Sequence, residues 1–214
     1  MFPIRPVRLP LVAFLAALLL GACAGTSDPR ASLGESWSIR QQAALAEAML
    51  VPAPAAYEIR YFDWVDGDRQ REVRAKLYLP PPAAGGAPLP LVVFSHGLGG
   101  SREGYSYLGS NWAARGYASL HIQHAGSDSR LWGGSPFEIV SRLQAAATEK
   151  EALDRVRDLR FALDQVLAAP DLAGALDPAR IVAAGHSYGA NTVLLAAGAV
   201  FDRPGGRLSY GEPR

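Results

Sequence analysis

The sequence predicts a doubly wound, mostly parallel α/β sheet. Three observations carry this. Residues 91–94 (Leu-Val-Val-Phe) and 181–184 (Ile-Val-Ala-Ala) are short, continuous apolar runs, the pattern of strands covered on both faces. A long amphipathic stretch over residues 148–168 lies between them. Along the chain, strand-like and helix-like segments alternate, which argues against a bundle or a sandwich. The composition supports a single packed core: 214 residues, 49% hydrophobic and 19% charged, with a formal net charge of +1. With no long Lys/Arg run and no acidic tail, nothing marks a nucleic-acid partner, and the expected partner is a small molecule.

The amino terminus reads as a processing segment outside the fold. Arg5 and Arg8 form a basic start, and residues 11–20 form an apolar run too short to span a bilayer as a helix. Gly21 and Ala22 lead into Cys23, the only cysteine. This Leu-Gly-Ala-Cys run resembles the lipobox of bacterial lipoproteins. The resemblance implies cleavage after residue 22, lipid attachment at Cys23 and a membrane anchor. Because Ala24 rather than Asp follows the cysteine, it also implies an outer-membrane destination in a Gram-negative cell. Residues 1–22 are thus expected to be a lipoprotein signal peptide and 23–36, small and polar, a tether.

The remaining elements follow in order. Residues 37–50 have helical periodicity through Ile39, Ala43, Ala46 and Leu50, ended by Val51-Pro52-Ala53-Pro54. Residues 57–64 and 72–79 alternate around Asp66-Gly67-Asp68, a hairpin signal, with Val73, Ala75, Leu77 and Leu79 on one face. The apolar strand at 91–94 runs into Ser95-His96-Gly97-Leu98-Gly99-Gly100. An amphipathic helix around Tyr105, Leu108 and Trp112 comes next, stopping near Gly116, and then a strand over 117–122. Residues 125–137, rich in Gly, Ser and Asp, read as a loop. In the long helix Leu153, Val156, Leu159, Phe161, Leu163 and Val166 form the apolar stripe, with Pro170 beyond it.

The motif that carries chemistry is Gly185-His186-Ser187-Tyr188-Gly189. Six Gly-x-Ser runs occur, but only this one closes with a second glycine and lies between an apolar strand and a helix-like run, residues 190–200. A serine held on a tight strand-to-helix turn needs small residues two before and two after it, so the spacing has a steric cause. Acyl transfer through Ser187 also needs backbone N–H groups fixed in advance to receive the oxyanion. Leu98, in the loop after the earlier strand, and Tyr188, directly after the serine, fit those two positions. His96 and Gly97 belong to the loop, and Gly185, His186 and Gly189 to the turn.

Together these residues resemble the platelet-activating factor acetylhydrolase and predicted dienelactone hydrolase group of α/β-hydrolases. The likeness rests on residues 95–100, the aromatic-rich helix with Arg115-Gly116-Tyr117, and residues 185–189. It implies carboxylic ester hydrolysis through a serine acyl-enzyme, on a small-molecule or lipid ester, with no metal and no organic cofactor. It also implies that an Asp and then a His follow the serine to complete a triad.

None of the 27 residues after Ser187 is histidine; the four histidines are His96, His121, His124 and His186. The expectation is that residues 37–214 are the N-terminal portion of a hydrolase domain whose C-terminal part is missing, leaving an exposed apolar edge on the last strand and little turnover. The other reading from a different class is a lipoprotein remnant, or a ligand-binding α/β domain, without catalysis.

Overall fold

A computed structural model of the chain describes residues 57–82, 85–203 and 206–211. The helix expected over 37–50, the signal segment and Cys23 lie outside the described residues.

Alternation of side chains builds the first hairpin. β1 (Glu58–Asp66) and β2 (Arg71–Leu79) pair antiparallel along their whole length, from Glu58 opposite Leu79 to Asp66 opposite Arg71. The turn between them is closed by the Asp66 carboxylate, which accepts from the amides of Asp68 and Arg69 at 3.1 and 3.3 Å. On the inner face Val73, Ala75 and Leu77 are fully buried, while Leu79 at the strand end is only partly so.

Beyond the hairpin come β3 (Leu89–Ser95), α1 (Ser106–Ala114), β4 (Ala118–His124), α2 (Pro136–Ala146), α3 (Glu149–Ala168), β5 (Leu176–Gly185) and α4 (Tyr188–Ala196). The sheet order is β1-β2-β4-β3-β5. β3 pairs parallel with both β4 and β5, and β2 antiparallel with β4, so β2 alone runs against the other four strands. This is the mostly parallel α/β sheet that the sequence predicts, with each parallel crossover made through a helix. β5 pairs with no second strand among the described residues, and Val182 on it is 57% exposed.

The core joins Leu91 and Val93 of β3, Ala118, Leu120 and Ile122 of β4, and Leu159, Ala162 and Val166 of α3. Fully burying each larger aliphatic side chain contributes about 1.5–3 kcal/mol. α3 starts where Thr148 caps it, its hydroxyl accepting from the Glu151 amide. Its buried stripe is apolar only in the second half. Near the start, Glu151, Arg155 and Asp158 share that face and are also buried, which the apolar periodicity does not anticipate. Leu153, Phe161 and Leu163 of the expected stripe are only partly buried.

Other boundaries differ from the sequence reading. The fourth strand runs on to His124, because residues 123 and 124 still pair with β2. α4 starts at Tyr188 rather than 190 and ends at Ala196, where the 190–200 run becomes irregular. Residues 125–137 are not all loop: a 3-10 turn covers Ser129–Trp132, and α2 begins at Pro136 under a reciprocal cap between Ser135 and Glu138. A small hairpin, β6 (Phe201–Arg203) with β7 (Gly206–Leu208), forms a separate two-stranded sheet. No helix among the described residues is long and apolar enough to cross a membrane.

Candidate active site

The site is built at the ends of the parallel strands, where β3 and β5 deliver two loops side by side. Ser187 sits between β5 and α4 with φ 53° and ψ −116°, far from the basins an L-residue prefers. Two glycines make that turn possible. A Cβ on Gly189 would lie 1.9 Å from the Ser95 carbonyl oxygen, and one on Gly185 would lie 2.4 Å from the Gly189 carbonyl carbon. No side chain fits at either position. The His186 amide also donates to the Ser95 carbonyl at 3.2 Å, tying the turn to the end of β3.

The facing loop comes equally close. A Cβ on Gly97 would stand 3.4 Å from the Ser187 Cβ and 3.1 Å from His186 Nδ1. The loop is fixed at its far end by the Gly99 amide, which donates to the Ser127 carbonyl at 2.9 Å, and by the Gly100 amide, which donates to the Gly97 carbonyl at 3.1 Å. Between these anchors lies Leu98. Tyr188 heads α4, where the helix dipole is positive. A cleft of about 180 Å³ runs along the two loops, lined by Gly97, Leu98, Gly99, Gly100, Tyr105, His186 and Ser187. Tyr105 is itself held at φ 59° at the start of α1. Leu98, His186 and Ser187 are thus brought together as the motif spacing implies, and Gly185 and Gly189 shape the turn.

Each of the four histidines is engaged elsewhere. His96 is fully buried; its Nε2 accepts from the His124 amide at 3.2 Å, so the proton is on Nδ1, which donates to the Gly97 carbonyl at 2.6 Å. Burial, with the positive charge of Arg155, lowers its pKa to about 4. His121 is buried among Tyr78, Phe94 and Trp112, with Nε2 3.0 Å from the Ser119 hydroxyl, and burial lowers its pKa to about 4 as well. His124 lies between Asp158 and Ser95, with no exposure, and burial holds its pKa well below the usual value. His186 has its Nδ1 2.7 Å from the Tyr105 hydroxyl. Among the described residues no histidine hydrogen-bonds the Ser187 hydroxyl.

Behind the site is a buried polar network that the motif reading misses. Arg155 and Asp158 sit in it, joined to Arg69, Arg71, Glu151 and Ser127. Burial alone would raise the Asp158 pKa, but the hydrogen bond from His124 and the Arg71 guanidinium outweigh it and hold it at about 2. The available signal was charged residues at 151, 155 and 158, in step with Val156 and Leu159 on one helix face.

Comparison with known proteins agrees with this architecture. Residues 60–131 match the family described as platelet-activating factor acetylhydrolase, isoform II, a stretch that includes the Gly97–Leu98 loop and stops short of Ser187. Platelet-activating factor acetylhydrolase from Cavia porcellus is 28% identical over 149 residues, covering 53% of this chain and 33% of that protein. The Canis lupus familiaris protein of the same name is 29% identical over 147 residues, covering 54% and 33%. The chain therefore spans about a third of the length of the curated relatives it matches. Among solved structures, a ferulic acid esterase from Streptomyces cinnamoneus superposes with a TM-score of 0.53 at 24% identity, covering 67% of this chain and 56% of that one, a likeness of fold. By its sheet topology the chain has an α/β-hydrolase fold, and in sequence it is similar to the platelet-activating factor acetylhydrolases.

Proposed function

We propose that this domain is a carboxylic ester hydrolase acting through a Ser187 acyl-enzyme. One observation carries the reading: Ser187 occupies a strained strand-to-helix turn directly against the Gly97–Leu98 loop, in a cleft open to a small ester. In the reaction the Ser187 oxygen adds to the ester carbonyl carbon. Negative charge gathers on the carbonyl oxygen, where the Leu98 and Tyr188 amides meet it. The C–O bond to the alcohol then breaks, the alcohol leaves with a proton, and water cleaves the acyl-serine by the same route. Charge stabilisation and positioning come from these loops.

The serine proton needs an acceptor, and His96, His121, His124 and His186 all have other partners. In the family order of serine, acid, histidine, the base is a histidine downstream of Ser187, oriented by its own carboxylate. Without it, turnover by the 214-residue chain is low. The substrate class is a small-molecule or lipid ester, in keeping with the acetylhydrolases it resembles. Cys23 is proposed as a lipid attachment site on an exported, membrane-anchored protein. The competing reading is a ligand-binding domain without catalysis.

Treatment with a fluorophosphonate, followed by peptide mapping, separates the two readings. Slow adduct formation confined to Ser187, and lost in Ser187→Ala, is the expected result. A folded chain that forms no adduct even with imidazole supplied as an external base favours the ligand-binding reading.

A further inference from the structure

Arg155 is a fully buried guanidinium with no carboxylate in ion-pair contact among the described residues. Burying such a charge costs several kcal/mol, offset here by the hydrogen bonds it donates to buried acceptors. Burial lowers its pKa only to about 10, so it is a cation at neutral pH.

Its contacts converge on the two loops of the site. The Nη2 group donates to the His96 carbonyl, directly before Gly97, and to the Ser95 hydroxyl at 3.1 Å. Nη1 donates to the Ser127 hydroxyl at 2.6 Å, and the Ser127 carbonyl in turn receives the Gly99 amide. On the other side Nε donates to Thr192 of α4 at 2.9 Å, and the guanidinium carbon stands 4.5 Å from the centre of the Tyr188 ring. One planar group thus grips both ends of the Leu98 loop and the first turn of α4.

We infer that Arg155 is a positioning residue of the oxyanion hole: it fixes the Leu98 amide through the peptide before Gly97 and the Tyr188 amide through its ring and helix. The inference rests on the reading of Ser187 as the nucleophile. The planar fork matters as well as the charge. A lysine ammonium reaches one or two of these acceptors but cannot span both sides or lie flat against the tyrosine.

A fluorophosphonate adduct on Ser187 reads the hole directly, because its phosphonyl oxygen takes the place of the oxyanion and its phosphorus-31 resonance responds to the amides that meet it. In the full chain, Arg155→Met is expected to slow adduct formation by about 10-fold to 100-fold, and to shift the adduct resonance. Arg155→Lys is expected to fall between Met and the parent in both. Should Arg155→Met fail to fold, Arg155→Lys and Ser127→Ala carry the test, each slower than the parent with a shifted resonance and a cooperative melt. A folded variant with parental rate and resonance overturns the assignment while leaving Ser187 as nucleophile. A parent chain that forms no adduct at Ser187 even with added imidazole removes the nucleophile, and the inference with it.

Discussion

His124 Nδ1 lies 3.1 Å from the Asp158 carboxylate, and both side chains are completely buried. The other ring nitrogen, Nε2, is 2.9 Å from the Ser95 hydroxyl, giving a Ser-His-Asp row with the wrong serine. The tautomer follows from the partners: Nδ1–H donates to the carboxylate, Nε2 accepts from Ser95 O–H, and Ser95 accepts from Arg155. With no exposure at Ser95 or His124, the row holds β3, β4 and α3 together and does no chemistry. Fluorophosphonate is expected to leave Ser95 unlabelled. His124→Leu, which removes the donor to Asp158 and the acceptor for Ser95, is expected to cost about 2–4 kcal/mol of stability in urea unfolding. Labelling at Ser95 would contradict this.

Acid should loosen the fold before the carboxylates titrate. His96 and His121 have pKa values near 4 in the folded chain, and His124 is also well below the ordinary 6.5. Below pH 6.5 the unfolded chain binds these protons and the folded chain does not. Their contribution is therefore complete above that pH and is lost as pH falls toward 4, by roughly 1–3 kcal/mol for each of the two with pKa near 4. Asp158, held near 2, adds a second loss at still lower pH. The urea midpoint is expected to be level from pH 8 to 7 and to decline from about pH 6.5 downward. A level midpoint to pH 5 would count against the buried neutral histidines.

The site glycines differ in what they tolerate. Gly189→Ala drives a Cβ into the Ser95 carbonyl, backbone against backbone, and is expected to cost about 3 kcal/mol or more. Gly97→Ala meets His186 Nδ1 at 3.1 Å and the Ser187 Cβ at 3.4 Å. The expected outcome there is a folded protein with slower labelling at Ser187, because the loop is pushed off the nucleophile. Thermal melting and labelling rates check both; equal melting of the two variants would contradict the packing.

The proposed anchor at Cys23 has its own assay. In a bacterial host, Cys23→Ser is expected to abolish radiolabelled palmitate incorporation and to leave the precursor uncut. Unchanged labelling would remove the lipid from the account.

Much of this architecture is legible in the residues. A continuous apolar run fixes β3, which is covered on both faces; the same kind of run marks β5, although its residues 182 and 183 are exposed, and the glycines at 185 and 189 follow from the close approach of backbone to backbone. α2 was missed because its Gly/Ser-rich lead-in reads as loop, although Ser135, Pro136 and Glu138 form a cap signature. The Arg155 and Asp158 network was hidden for a different reason. Periodicity registers apolar residues, and a buried charge satisfied by partners distant in sequence, such as Arg71 and Ser95, leaves no local pattern.

The central claim is that Ser187 is the nucleophile and that none of the four histidines is its base. The direct measurement is the rate of fluorophosphonate labelling at Ser187 with and without added imidazole. The account predicts slow labelling that rises with imidazole concentration and is unchanged in His121→Gln and His186→Gln. Labelling that is fast without imidazole, insensitive to it, and lost in either variant would contradict the account by identifying one of these histidines as the base.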